Sequence, residues 1–443
     1  MPAKGQNKTV QRDAAISAKP GLQSRVTCLE ILKAVESGTH FDEALRLATK
    51  LPDRDRRFVR LLAATCLRRS GQLDIVLRKL MSRPPSGKVA LAMTIMKMGA
   101  AQLLFLETGA HAAVNSTVEL MRAAGLDRMT GLANAVMRRL TREGEALLAK
   151  TGARHNLPDW LRVSWNEAYG AEATNAIMEL SMSPPPLDIT PAKDAPGWAE
   201  RLDGKLIDGR TIRREFDGDI AALDGYEDGA WWVQDAAAAL PASLFGDLAG
   251  KDAIDLCAAP GGKTAQLIAA GANVIAIDPS KARLRTLRDN LKRLGMSATT
   301  IAAEGQSYTP DMPVDAVLID APCSATGTLR RRPDVLHHRT RKDIDEMVTI
   351  QRDLLTRAAG WLKADGRLIY ATCSLQPEEG EAIIADYLRR PDCRLRVDPI
   401  TADEAGQFAP ALTADGMMRI KPHDFAALGG VDGFFVARLK SAS

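Results

Sequence analysis

The sequence predicts an α/β protein, a mostly parallel doubly wound sheet preceded by an all-helical domain. Three observations carry this. From Lys251 onward, short apolar runs alternate with helix-period segments, the pattern of stacked β–α units. From Val26 to about Glu145, apolar residues repeat at helical spacing and no strand-like alternation interrupts them. Between these patterns, Ile254-Asp255-Leu256-Cys257-Ala258-Ala259-Pro260-Gly261-Gly262-Lys263-Thr264 reads as a buried strand, a glycine-rich turn and the start of a helix.

Taken in order, residues 1–20 are polar and basic, without the apolar core of a signal peptide, and are expected to be a mobile tail of a cytoplasmic protein. Residues 21–145 form the predicted helical domain. Val26, Leu29, Leu32 and Val35 start its period, and Pro84-Pro85-Ser86-Gly87 breaks it once. Residues 146–235 are expected to be linker helices and a small α/β subdomain, with a helical reading from Trp160 to Ser181 that ends at Pro184-Pro185-Pro186. Residues 187–230 read as irregular, with short β-like pieces. The sheet domain spans 236–443. Its strands are Ala253–Leu256, Val274–Ile277, Ala316–Ile319, Leu368–Ala371 and Phe434–Leu439, with helices near 264–270, 281–294, 344–362 and 378–389.

The balance of charge narrows the partner. Residues 1–150 carry 25 Lys and Arg against 13 Asp and Glu, whereas residues 151–443 carry 34 against 42. A basic module on a mildly acidic body points to a polyanion, most simply nucleic acid. No run approaches the roughly 18 apolar residues of a membrane span, so no membrane partner is expected. Six cysteines, at 28, 66, 257, 323, 373 and 393, lack metal-type spacing and are expected to be free thiols. His337 and His338 have no Cys or carboxylate cluster beside them in sequence, so no metal is expected.

The turn at Pro260-Gly261-Gly262 matches neither a P-loop nor a full G-x-G-x-x-G fingerprint, yet it lies at the carboxyl end of a strand, where open α/β sheets bind small ligands. Asp278 ends the second strand, 17 residues after Gly261. An acid there is placed to accept ribose hydroxyls, because a carboxylate offers only acceptors. Asp320-Ala321-Pro322-Cys323-Ser324 and Ala371-Thr372-Cys373-Ser374 then each bring a Cys-Ser pair to a strand end, 50 residues apart. One sheet edge would hold both thiols beside the ligand turn. Two thiols and an acid suit methyl transfer to a pyrimidine C5. A thiolate added at C6 makes C5 nucleophilic, and an acid near N3 and N4 stabilises the adduct. Spacing alone leaves open which thiol attacks.

The segments Asp-Leu-Cys-Ala-Ala-Pro-Gly-Gly-Lys-Thr (255–264), Asp-Ala-Pro-Cys-Ser-Ala-Thr-Gly (320–327) and Ala-Thr-Cys-Ser-Leu-Gln-Pro-Glu-Glu (371–379) resemble the motifs of the RsmB/Sun-type RNA cytosine-C5 methyltransferases. The resemblance spans about 233–439. His111–Leu120 and Gly131–Val136 resemble the NusB-like helical domain of the RsmB branch, and residues 157–160 its linker helix. The resemblance implies a Rossmann-like methyltransferase domain behind a NusB-like one, with S-adenosylmethionine as cofactor and RNA, foremost small-subunit (16S) rRNA, as partner. It implies that Cys257, Ala258, Ala259, Pro260, Gly261, Gly262 and Lys263 cradle the donor. Asp278 would hold its ribose, Glu304 would stand on the adenine side, and Asp320 would lie near both donor and base. Cys373 becomes the expected nucleophile and Cys323 the group that assists product release. The segment 233–238, the stretch after Val335 and Asp188-Ile189-Thr190-Pro191 depart from the family pattern, which puts individual RNA contacts in question. The basic run from Arg330 to Lys342 is expected to hold phosphates around a flipped cytosine. The rival readings are a non-catalytic RNA-binding or assembly protein, and a cytosine-C5 methyltransferase acting on another RNA or on DNA.

Overall fold

A computed structural model describes residues 21–216 and 218–442. The expected tail, 1–20, lies outside them. The chain forms two compact units. One comprises the described residues to Val163 together with Arg332–His338; the other comprises Ser164–Arg331 and Arg339 onward.

The first unit is helical, with α1 (Leu22–Glu36), α2 (Asp53–Arg68), α3 (Ser70–Lys79), α4 (Leu91–Leu104), α5 (Ala110–Ala123) and α6 (Thr130–Leu148) as its main elements. Its core is a single apolar cluster that includes Leu29, Leu32, Leu62, Leu73, Met96, Leu120 and Leu140. The α4 helix is buried along most of its length, Gly99 included. A methyl group on Gly99 would stand 2.2 Å from Thr117 Oγ1, so glycine lets α4 and α5 approach.

In the second unit, residues 187–230, read from sequence as irregular with short β-like pieces, form an antiparallel sheet together with Trp231–Val233. Its strands β1 (Leu187–Pro191), β2 (Lys205–Leu206), β3 (Ile212–Arg214) and β4 (Trp231–Val233) are ordered β2-β3-β1-β4. Two- and three-residue strands carry too little alternation to be legible. This sheet belongs to the same compact unit as the large one.

The large sheet contains β5 (Asp252–Leu256), β6 (Asn273–Ile277), β7 (Thr299–Ile301), β8 (Val314–Asp320), β9 (Leu362–Thr372), β10 (Leu395–Val397), β11 (Met418–Ile420) and β12 (Phe434–Ser441). Its order is β10-β12-β9-β8-β5-β6-β7, with β11 also on β12. The β5–β9 strands pair in parallel, while β12 runs antiparallel to β9. Side chains alternate faces along a strand. Ala316, Leu318, Ile369, Ala371 and Val436 enter one apolar cluster, and Val317, Ile319, Leu368 and Tyr370 are equally buried on the other face. Burial on both faces is why these strands read as unbroken apolar runs. The strand order reverses between β5 and β8, which makes the carboxyl ends of these strands a topological switch point, the place where open α/β sheets bind ligands.

Candidate functional site

The glycine turn lies at this switch point. After β5, Cys257 takes φ 60°, the Ala259–Pro260 peptide is cis, and Gly261 takes φ 106° before α7 (Gly262–Ala269) begins. The left-handed φ of Gly261 disfavours any side chain, and a methyl group there would meet Leu287 Cγ at 3.0 Å. The turn is tied to the next strand by Ala258 N–H donating to Ile277 O, 3.1 Å.

Beneath the turn sit three carboxylates. Asp278 is fully buried and takes Ala259 N–H (3.3 Å), Ser280 N–H (3.0 Å) and the Arg283 guanidinium (3.2 Å). It therefore ties the turn to the start of the next helix. Asp255, also fully buried, accepts from Thr264 Oγ1 at 2.6 Å; its Oδ1 has no hydrogen-bond partner among the described residues. Burial pushes the Asp255 carboxyl up to about 7, although the Thr264 hydrogen bond opposes the rise. Asp320, at the end of β8, accepts from Lys263 Nζ at 2.8 Å. Burial disfavours the Lys263 ammonium, but the Asp320 charge and hydrogen bond, together with the nearby Cys373, raise its pKa overall. Glu304 stands beyond β7 with an exposed side chain.

The two strand-end thiols meet: Cys323 Sγ and Cys373 Sγ are 3.5 Å apart. Gly327 makes the approach possible. Its N–H donates to Cys373 O (3.0 Å), its own carbonyl accepts from Gly433 N–H (2.9 Å), and a methyl group on it would stand 2.1 Å from Gly433 O. The hydrogen bond with Cys373 is the largest influence raising the Cys323 thiol, and burial adds to it. Cys257 is raised by burial and by the surrounding carboxylates, so it stays a protonated thiol of the turn. All six cysteines are free, as their spacing suggested.

The structure thus brings together the turn 257–263, Asp320, Cys323 and Cys373, with Asp278 beneath the turn. The cations of the basic run also make bonds within the protein. Arg331 is paired with Asp235 (2.7 Å) and Asp432 (3.1 Å), and Arg330 donates to the carbonyls of Gly429 (2.7 Å) and Pro184 (3.1 Å). Arg339 donates to Ser324 O (3.1 Å), Arg341 pairs with Glu378 (2.5 Å) and Lys342 with Glu346 (3.3 Å). Arg330, Arg331 and Arg341 thus bond to groups distant in sequence, whereas Lys342 pairs within its own helix. Arg332–His338 belongs to the helical unit. There Asp334 Oδ2 accepts from Phe41 N–H at 3.2 Å, and His40 and His338 flank it with ligand atoms within 4.8 Å of one another. The Arg332 guanidinium already faces His40 Nδ1 at 3.2 Å. His40 lies almost 300 positions from His338, so their proximity left no trace in the spacing.

Sequence reasoning also passed over Glu379, the second acid of Pro377-Glu378-Glu379. It is fully buried between the two cysteine loops. A buried carboxylate is rare enough to have been a signal, but only the structure shows that this one is buried.

Comparison with known proteins supplies the context. A family model described as 16S rRNA methyltransferase RsmB/F matches residues 247–440, and a NusB family model matches 22–142. The ribosomal RNA small subunit methyltransferase B of Shigella boydii serotype 4 (strain Sb227) is 36% identical over 377 residues, covering 81% of this chain and 88% of its own length. The protein of the same name from Escherichia coli (strain SE11) matches to the same extent. Among solved structures, the crystal structure of PH0851 covers 96% of this chain and 99% of its own with TM-score 0.74 at 20% identity. NSun6 from Pyrococcus horikoshii with SFG covers 65% and 98% with TM-score 0.56 at 20% identity. Both structures bear on the fold. No helix among the described residues is long and apolar enough to cross a membrane.

Proposed function

The chain belongs to the RsmB/F family of 16S rRNA methyltransferases, and on that premise we propose that it forms 5-methylcytosine in small-subunit rRNA by covalent cysteine catalysis. The observation that carries this reading is the pair of thiols 3.5 Å apart at the ends of β8 and β9, at the same sheet edge as the Lys263–Asp320 ion pair. Nucleophilic addition to a pyrimidine C6 needs one soft anion, and its reversal needs loss of the C5 proton, a step that a second group beside the base can assist.

The donor half fits S-adenosylmethionine in its chemistry. A glycine turn admits a ligand close to the backbone, the first N–H groups of α7 lack helical partners, and the turn is backed by acceptor-only side chains. Residues 257–263 would hold the donor and Asp278 its ribose, with Glu304 toward the adenine. Bound there, S-adenosylmethionine supplies an electrophilic methyl group.

On the base side, the Cys373 thiolate forms a bond to cytosine C6. Asp320, fixed by Lys263, stabilises the adduct through N3 and N4. The C5 carbon takes the methyl group, its proton leaves to a base, and the electron pair left behind expels Cys373 from C6 with Cys323 assisting.

Bisulfite sequencing of rRNA from cells with and without the protein tests the proposal. One small-subunit cytosine should lose its protection in the deletion strain. An unchanged pattern, or a purified enzyme that methylates DNA in preference to RNA, would overturn it.

A further inference from the structure

Glu379 has no part in the reaction written above, yet it touches both cysteine loops. Ser324 follows Cys323 and Ser374 follows Cys373. The Glu379 carboxylate accepts from Ser324 N–H (2.8 Å), Ser324 Oγ–H, Ser374 Oγ–H (2.5 Å) and Gln351 Nε2 (3.1 Å). Gln351 also donates to Pro322 O at 2.8 Å, one residue before Cys323. Every group that meets the carboxylate can donate, and an ionised carboxylate is the side chain that can accept from all of them. Ser324 and Ser374 are themselves 3.1 Å apart and fully buried.

We propose that Glu379 is a positioning residue that sets the register of the two thiols, gripping the residue after each cysteine so that Cys323 and Cys373 face one another across the base site. The inference rests on the two-thiol reading above. A buried anion held only by hydrogen bonds is costly unless all of them are made, so the two loops have one low-energy arrangement around it. The Glu379 charge also acts on the Cys323 side of the pair, where it helps keep that thiol protonated, secondary to the Cys373 hydrogen bond and burial. Other braces act on the Cys373 loop alone. Arg419 Nη1 donates to Ser374 O (2.5 Å), Trp165 Nε1 to Gln376 Oε1 (2.6 Å) and Tyr169 OH to Leu375 O (2.5 Å). Between the loops, Gly327 N–H donates to Cys373 O (3.0 Å) and Leu375 N–H to Thr326 Oγ1 (3.0 Å), and Glu379 adds the charged group that meets the residue after each cysteine.

The experiment is a kinetic cycle in the full-length protein with RNA and S-adenosylmethionine, comparing Glu379→Gln in the parent and in a Ser324→Ala/Ser374→Ala background. Glutamine keeps the shape but cannot accept from every donor. In the parent we expect kcat to fall about tenfold, the scale of one lost hydrogen bond to a charged group, with the KM for RNA and the donor Kd unchanged. In the serine-free background the same change should cost less than about twofold, since the hydroxyl bonds that tie the carboxylate to the Cys373 loop are already gone. A second readout needs no catalysis: the yield of a mass-mapped Cys323–Cys373 disulfide after treatment with the thiol oxidant diamide. It should be high in the parent and fall severalfold in Glu379→Gln. Equal losses of kcat in both backgrounds, or a parental kcat with parental disulfide yield, would overturn the proposal. A parent that methylates no RNA while the disulfide yield still depends on Glu379 would instead sink the reading of the function and leave the positioning role standing.

Discussion

The two halves of the proposed site, the donor half at the glycine turn and the thiol half, are built in different ways. Residues 257–263 form one continuous turn whose shape is dictated locally by Gly261 in a left-handed conformation and by the helix that follows. The thiol half is assembled from two strand ends 50 residues apart, made close by Gly327 lying on Gly433 and held in register by Glu379. A local ligand turn tolerates changes at its edges one at a time. A pair assembled from distant segments depends on every tie between them, so perturbations there should act on turnover more than on ligand binding.

The sharpest test of this contrast is also the largest effect. Cys373→Ala should lower methyl transfer by more than about 10⁴-fold, as removal of a covalent nucleophile does, while calorimetric donor binding stays within twofold of the parent. Cys323→Ala should instead accumulate a covalent RNA adduct visible on a denaturing gel. An adduct seen with Cys373→Ala and absent with Cys323→Ala would exchange the two roles.

The donor half should answer more strongly to pH than to sequence. The buried Asp255 carboxyl holds its proton up to about pH 7 in the folded state, whereas an unfolded aspartate releases it near 3.9. The native state therefore binds the extra proton between those values, and this group's contribution to stability declines as pH rises across that window. Asp255→Asn removes the titration. Denaturant unfolding should find the variant gaining on the parent between pH 5 and pH 8 by about 1–3 kcal/mol. A pH-independent difference would show that the carboxyl is ionised throughout.

The smallest effect is expected at the exposed edge. Glu304→Ala should raise the donor Kd by about threefold, the scale of one solvent-exposed hydrogen bond, and leave kcat unchanged. A loss of a hundredfold would mean that Glu304 closes over the ligand and that the donor half is less local than its geometry suggests.

The legibility of the molecule follows the same division. Central strands β5, β6, β8, β9 and β12 were readable because burial on both faces writes a continuous apolar run. The β7, β10 and β11 strands are three residues each and leave no such signature. The β9 strand begins at Leu362, six residues before its apolar stretch, because Lys363-Ala364-Asp365-Gly366 looks like a turn yet pairs irregularly against β8. In the run Arg330–Lys342 the sequence shows the charges and not their internal partners. Asp432, 101 positions away, was invisible as the partner of Arg331.

By itself the sequence determined the α/β class, the helical front domain, the ligand turn and the identity of both thiols, since each is written in contiguous residues whose period or turn chemistry is local. Tertiary structure alone decided that Cys323 and Cys373 stand 3.5 Å apart, that Lys263 pairs with Asp320, and that Glu379 joins the two loops. Those facts depend on strand order and register across the sheet. A chain encodes them only through the sum of many packing contacts, and no single segment carries them.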